Sequence, residues 1–199
     1  DLLEEQCLIN LRNGTFEITP TGGHLREPRR EDFLTYQLPF DYDPNASATL
    51  WQKFLDRVLP DKAQQNVLAE YIGYVFTRLK LEKTLMLLGA GANGKSVIFD
   101  VINALLGREN ITNFSLESLR RDYQRAMLAN KLLNYSSESS TRLDADIFKK
   151  LTSGEPIDAR LPYGQPFIMS HYAKMALNCH AMLSIRKHSS AAFWLSHLR

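Results

Sequence analysis

Thr84-Leu85-Met86-Leu87-Leu88 runs into Gly89-Ala90-Gly91-Ala92-Asn93-Gly94-Lys95-Ser96, and a helical pattern from Val97 to Leu106 runs out of it. The apolar run has the length of a buried strand. The helical stretch is closed by Gly107, a residue suited to the left-handed conformation found just past a helix. The eight residues between them match G-x-x-x-x-G-K-[ST] in full. Glycines let backbone N–H groups approach phosphate oxygens without a side-chain clash, and a helix N-terminus adds partial positive charge. The loop therefore reads as a nucleotide cradle formed by Gly89, Ala90, Gly91, Ala92, Asn93, Gly94, Lys95 and Ser96, with Val97 just beyond it. Lys95 is expected to reach the β- and γ-phosphates of ATP, and Ser96 to hold Mg²⁺. The competing reading is a chance glycine-rich turn, which the strand and helix in register argue against.

Downstream, short apolar runs alternate with helical stretches at Ile111–Phe114, Leu132–Tyr135 and Ala173–Leu177. Strands alternating with helices predict βαβ units and a parallel sheet. A phosphate loop needs an acid on a neighbouring strand to order the metal and the attacking water. Leu132-Leu133-Asn134-Tyr135-Ser136-Ser137-Glu138 offers Glu138 at the C-terminal end of a strand, where open α/β sheets bind their ligands. Ser137 precedes it, where many ATPases carry Asp. The alternative is a solvated loop glutamate. The last run ends in Asn178, an amide able to orient water at the γ-phosphate, or else a plain turn residue. Ile157–Leu161 and Pro166–Met169 predict a hairpin with Pro162-Tyr163-Gly164 at its tip. Arg160 would contact phosphate and Tyr163 stack on a base, unless the hairpin is an ordinary surface one.

Upstream, Leu8–Leu11 and Thr15–Ile18 flank Arg12-Asn13-Gly14 and predict a hairpin, since Asn-Gly accepts the positive φ of a tight turn. Thr19 to Gly23 and Asp41 to Asn45 read as loops. Leu50, Trp51, Phe54, Leu55 and Val58 mark one helix. Val67, Leu68, Tyr71, Ile72, Val75, Phe76 and Leu79 mark a second, with Asp61 as its N-cap. The pattern changes near 80–83, dividing the chain into a helical and hairpin segment over 1–82 and an ATPase core over 83–199.

The 199 residues suffice for one substantial domain, and 24 Lys+Arg against 22 Asp+Glu leave a net charge of +2. Any nucleic-acid contact must then come from a local patch. The 44% hydrophobic and 23% charged fractions exclude disordered, collagen-like and coiled-coil classes. Cys7 and Cys179 are no disulfide framework and suit a reducing cytoplasm. No apolar run reaches the ~18 residues that span a bilayer, so no membrane partner is expected. Asp1-Leu2-Leu3-Glu4-Glu5 is not a signal peptide and lacks Met, which suggests a piece of a longer chain. Cys179, His180, His188 and His197 lack a paired zinc spacing. His24 and His171 read as surface residues. Arg29-Arg30 and Arg120-Arg121 read as solvated charge pairs, the second alternatively near a ring channel or subunit interface.

In order, the parts are a phosphate loop, a strand ending in Glu138, Lys149-Lys150-Leu151-Thr152-Ser153-Gly154-Glu155-Pro156, a hairpin, and a strand ending in Asn178. This order resembles the C-terminal helicase domain of phage and plasmid primase-helicases, a superfamily III branch of the AAA+ ATPases. Arg12-Asn13-Gly14, Phe40-Asp41-Tyr42-Asp43-Pro44 and Gly73-Tyr74 resemble the segment that joins primase to helicase. The resemblance implies an α/β P-loop core hydrolysing ATP, with Lys95, Glu138 and Asn178 catalytic and Ser96 and Glu138 on Mg²⁺. It implies DNA contact, as single strand or fork, from Lys149, Lys150, Arg160 and Tyr163. It also implies a hexameric ring in the full-length protein, a primase domain in the parent chain, and replication of mobile elements in the bacterial cytoplasm.

The chain departs from that pattern after Asn178, where Cys179-His180-Ala181 replaces an acidic residue, Leu and Pro. Ala192-Phe193-Trp194 matches an aromatic pair, but Leu195-Ser196-His197 follows in place of adjacent arginines. The expectation is a core stopped short of the fifth strand of its sheet. The rival function is a truncated, inactive fragment that retains nucleotide or DNA binding only. A small-molecule kinase would need a lid of clustered arginines, and the sequence offers no such segment.

Overall fold

The computed structural model describes residues 7–89, 94–138, 145–179 and 192–195. The first strands, β1 (Cys7–Leu11) and β2 (Gly14–Thr19), pair antiparallel across the Asn13-Gly14 turn. Where the sequence suggested a loop over 19–23, the chain turns back at once into β3 (Gly22–Arg26), which pairs with β2. The Thr19 hydroxyl closes this turn by donating to the Gly22 carbonyl at 2.9 Å. Arg26 then holds the strand end through Glu17 and Asp32.

Two helices follow, α1 (Thr49–Val58) and α2 (Lys62–Tyr74). Asp61 caps α2 by accepting the Ala63 amide at 2.9 Å, as its position predicts. The helix stops at Tyr74, short of the Leu79 that the apolar periodicity reached. Thr77 donates its hydroxyl to the Tyr74 carbonyl there and diverts the chain into a turn.

The remainder forms a five-stranded, all-parallel sheet of β4 (Thr84–Leu88), β5 (Ile111–Thr112), β6 (Leu133–Glu138), β9 (Lys174–Cys179) and β10 (Ala192–Leu195). Its order is β10-β4-β9-β6-β5. The fifth strand, expected to be missing, is therefore present: residues 192–195 pair with Thr84 to Leu87. An aromatic run read only as a motif has an apolar strand's composition, and pairing with β4 is what makes it one. β5 is shorter than the sequence suggested, because Asn134 captures the Phe114 amide through its side chain and turns the backbone away.

Alternation along the strands decides what covers each face. Leu85, Leu87 and Ala176 point into a core shared with α3 (Lys95–Leu106), with α1 and α2, and with Leu11 and Leu38 of the first segment. Met86, Met175 and Leu177 point into a second core, with α4 (Asp122–Ala126) and α5 (Ala145–Ser153). The predicted hairpin forms as β7 (Ile157–Arg160) and β8 (Pro166–Met169), and its inward residues Ile157, Ala159 and Met169 join that second core. No helix among the described residues is long and apolar enough to cross a membrane.

Candidate nucleotide and nucleic-acid sites

β4 is buried along nearly its whole length and delivers the chain to Gly89, whose amide donates to the Cys179 carbonyl at 3.3 Å. Ala90, Gly91, Ala92 and Asn93 lie outside the described residues. The loop re-enters at Gly94, with φ +82° at the start of α3. A Cβ there would stand 2.9 Å from Val58 Cγ1 and 3.1 Å from Phe54 Cζ, so α1 backs directly onto Gly94. Only glycine meets both the backbone angle and that approach.

Lys95 is 4% exposed, and its ammonium donates to the Gly89 carbonyl at 2.5 Å. Burial pushes its pKa below the ordinary lysine value, while the neighbouring Cys179 acts the other way. Ser96 and Val97 are exposed at the helix start. β9 lies between β4 and β6, with Asn178 level with Leu87 on one side and Ser137 on the other. Asn178 is 7% exposed, and among the described residues nothing hydrogen-bonds its Oδ1. Glu138 ends β6, level with Cys179. Asn178 and Glu138 thus stand on adjacent parallel strands at the C-terminal edge of the sheet, and Lys95 opens the helix that follows β4, the strand on the other side of β9.

The second group of expected residues lies on other elements. Lys149 and Lys150 are exposed on α5. That helix is fixed to the sheet by buried Phe148 and Leu151 and by a 2.8 Å hydrogen bond between the hydroxyls of Thr84 and Thr152. Tyr163 is fully exposed at the hairpin tip with φ 61°, beside exposed Leu161. Arg160 forms a 3.1 Å ion pair with Asp122.

The base of the hairpin is held by a residue that sequence reasoning missed. Arg125 of α4 is 4% exposed and donates from Nε to the Asp158 carbonyl at 2.7 Å. It also donates to the carbonyls of Leu119 and Arg120, and it pairs with the Asp158 carboxylate. Arg125 and Asp158 are 33 positions apart, and no local motif connects them.

A family model described as a family of unknown function, DUF5906, matches residues 87–190, more than half of the chain. The chain belongs to the DUF5906 family. The matched span opens within β4 and takes in every expected site residue. A second model, D5 N terminal like, matches residues 1–60. A protein of Acanthamoeba polyphaga mimivirus named "Putative helicase L207/L206" is 22% identical over 205 residues. The match takes in 94% of this chain and 21% of that protein, so the chain spans about a fifth of the relative's length. Among solved structures, the A form apo structure of the NrS-1 C-terminal region superposes with a TM-score of 0.63 at 12% identity, covering 89% of this chain and 44% of that one. Another apo structure of the NrS-1 C-terminal region gives 0.63 at 9% identity, covering 99% and 60%. Together these likenesses show that this DUF5906 chain shares its α/β fold with the NrS-1 region.

Proposed function

We propose that this chain is the ATP-driven motor segment of a replication helicase of the phage and plasmid primase-helicase type. The observation that carries the reading is the order β4-β9-β6. It makes the phosphate-loop strand, the strand bearing Asn178 and the strand ending in Glu138 immediate parallel neighbours. Ligands bind at the C-terminal edge of such sheets. The similarity to the mimivirus protein over nearly the whole chain supports the helicase class.

The residues present fit a nucleotide. Gly94 supplies the positive φ of a phosphate loop, the desolvated Lys95 ammonium donates to the Gly89 carbonyl, and Asn178 keeps a buried oxygen that nothing hydrogen-bonds among the described residues. A phosphate oxygen is a stronger partner for an ammonium than a neutral carbonyl is. Lys95 would therefore turn from Gly89 to the β- and γ-phosphates. Ser96 and Glu138 would hold Mg²⁺, which neutralises charge on the phosphates. Glu138 and Asn178 would orient the water that attacks the γ-phosphate. Lys149, Lys150, Arg160 and Tyr163 would contact a DNA strand, with several copies of the chain assembled as a ring.

Lys95→Ala is expected to abolish binding of a fluorescent ATP analogue in the presence of Mg²⁺ while circular dichroism stays unchanged. Undiminished nucleotide affinity in that variant would sink the reading. DNA-stimulated ATP turnover, measured beside sedimentation, separates an active ring from a chain that only binds nucleotide.

A further inference from the structure

Arg120-Arg121, read from sequence as a solvated charge pair, lies beside the hairpin. The connection is direct: the next residue, Asp122, holds Arg160 of β7 at 3.1 Å, and Arg125 one turn later clamps Asp158 on the same strand. The segment 120–125 and the hairpin are therefore one surface. It presents exposed Arg121, whose guanidinium donates to the Tyr123 hydroxyl at 3.0 Å, and the exposed ring of Tyr123. Arg160 and Asp122 are both partly exposed, with side chains at 49% and 34%.

Two features of this pair need explaining. An arginine expected to meet a strand's phosphate is already engaged by one carboxylate oxygen of Asp122, an anionic acceptor of the kind that a phosphate oxygen would supply. The pair is also solvent-accessible, so it is weak and readily exchanged. Next to it stand a second arginine and an aromatic ring, the combination used by sequence-tolerant single-strand sites, where cations track the backbone and rings stack on bases.

We propose that Arg121, Asp122 and Tyr123 form, with the hairpin, the second wall of a single-strand binding surface, in which Asp122 occupies Arg160 until a backbone phosphate displaces it. The proposal rests on the reading of the hairpin as a DNA contact. It adds two contact residues and a built-in competitor that neither the motif nor the relatives indicate. Asp122 would set a threshold, so that Arg160 engages only a strand that supplies a phosphate in the carboxylate's place.

The experiment is fluorescence anisotropy of the whole chain with a labelled single-stranded DNA over a series of salt concentrations. Asp122→Asn keeps the oxygen that accepts the Tyr123 amide but removes the charge facing Arg160. It is expected to tighten binding roughly two- to fivefold, the range set by what an exposed ion pair is worth. Arg121→Ala is expected to weaken binding and to reduce the slope of log affinity against log salt by about 1. Tyr163→Ala at the hairpin tip reports on the underlying reading. If Tyr163→Ala weakens binding while Asp122→Asn leaves it unchanged or weaker, Asp122 is only a structural support: the proposal is overturned and the hairpin reading stands. If the wild-type chain binds no strand at any salt concentration, both are overturned.

Discussion

Lys174 opens β9 with its ammonium 4.2 Å above the centre of the Tyr74 ring, donating to the Leu79 carbonyl at 2.7 Å. Burial, with Lys80 nearby, pushes its pKa down to about 8 from the ordinary 10.5. Between those values the folded chain has released this proton while the unfolded chain still holds it, so raising the pH across that window favours the fold. Lys174→Met keeps the stem's packing and removes the proton. The expected outcome in urea denaturation is that wild-type stability, measured relative to Lys174→Met, rises between pH 7.5 and pH 9.5. A flat difference would mean that the ammonium is better solvated than its position implies. Gly94 and Lys95 stand at the same scale but differ in kind. Their residue types were legible from the motif alone, whereas the packing of Phe54 and Val58 behind Gly94 was not.

Among the elements, the hairpin β7–β8 shows how a two-stranded ribbon, marginal by itself, is held in one orientation. Its inward side chains enter the second core, and Arg125 ties its first strand to two backbone carbonyls of the preceding segment. Arg125→Ala leaves buried carbonyls without a charged donor and is expected to cost about 2–4 kcal/mol. Arg125→Lys recovers little of this, because a point charge cannot reproduce the planar fork. Thermal denaturation would give the loss, and limited proteolysis should locate new cleavage near Tyr163. Stability within ~0.5 kcal/mol of wild type, the scatter of ordinary surface changes, would show that the clamp does not hold the hairpin. Period-two and turn signals were enough to find this hairpin in the sequence. Its anchor was not, because Arg125 and Asp158 meet only once α4 packs on β7.

For the molecule as a whole, the first core joins the two segments on either side of the pattern change near 80–83. Leu11, Leu38, Leu55 and Leu68 share it with Leu85, Ile98 and Ala176. Tyr71 fastens the joint by donating from a 3%-exposed side chain to the Met175 carbonyl at 2.5 Å. Tyr71→Phe leaves the ring's packing but strips that donor, and a loss of about 1–2 kcal/mol is expected. A shared core also implies one cooperative transition, so the variant should move the whole unfolding curve without splitting it. Two resolved transitions in calorimetry would show that the segments unfold independently.

The local chemistry of this protein was in its sequence: a strand, a glycine-rich loop and a helix in register, the hairpin and its tip, the Asp61 cap, and the alternation that demands a parallel sheet. Each depends on residues within one turn, one strand or one loop of each other, where sterics and capping act directly. Only the tertiary structure decided that 192–195 completes the sheet, that β9 separates β4 from β6, that α1 presses on Gly94, and that Asp122 and Arg125 grip the hairpin. Those outcomes follow from pairings between residues tens of positions apart, fixed by which apolar faces are buried together.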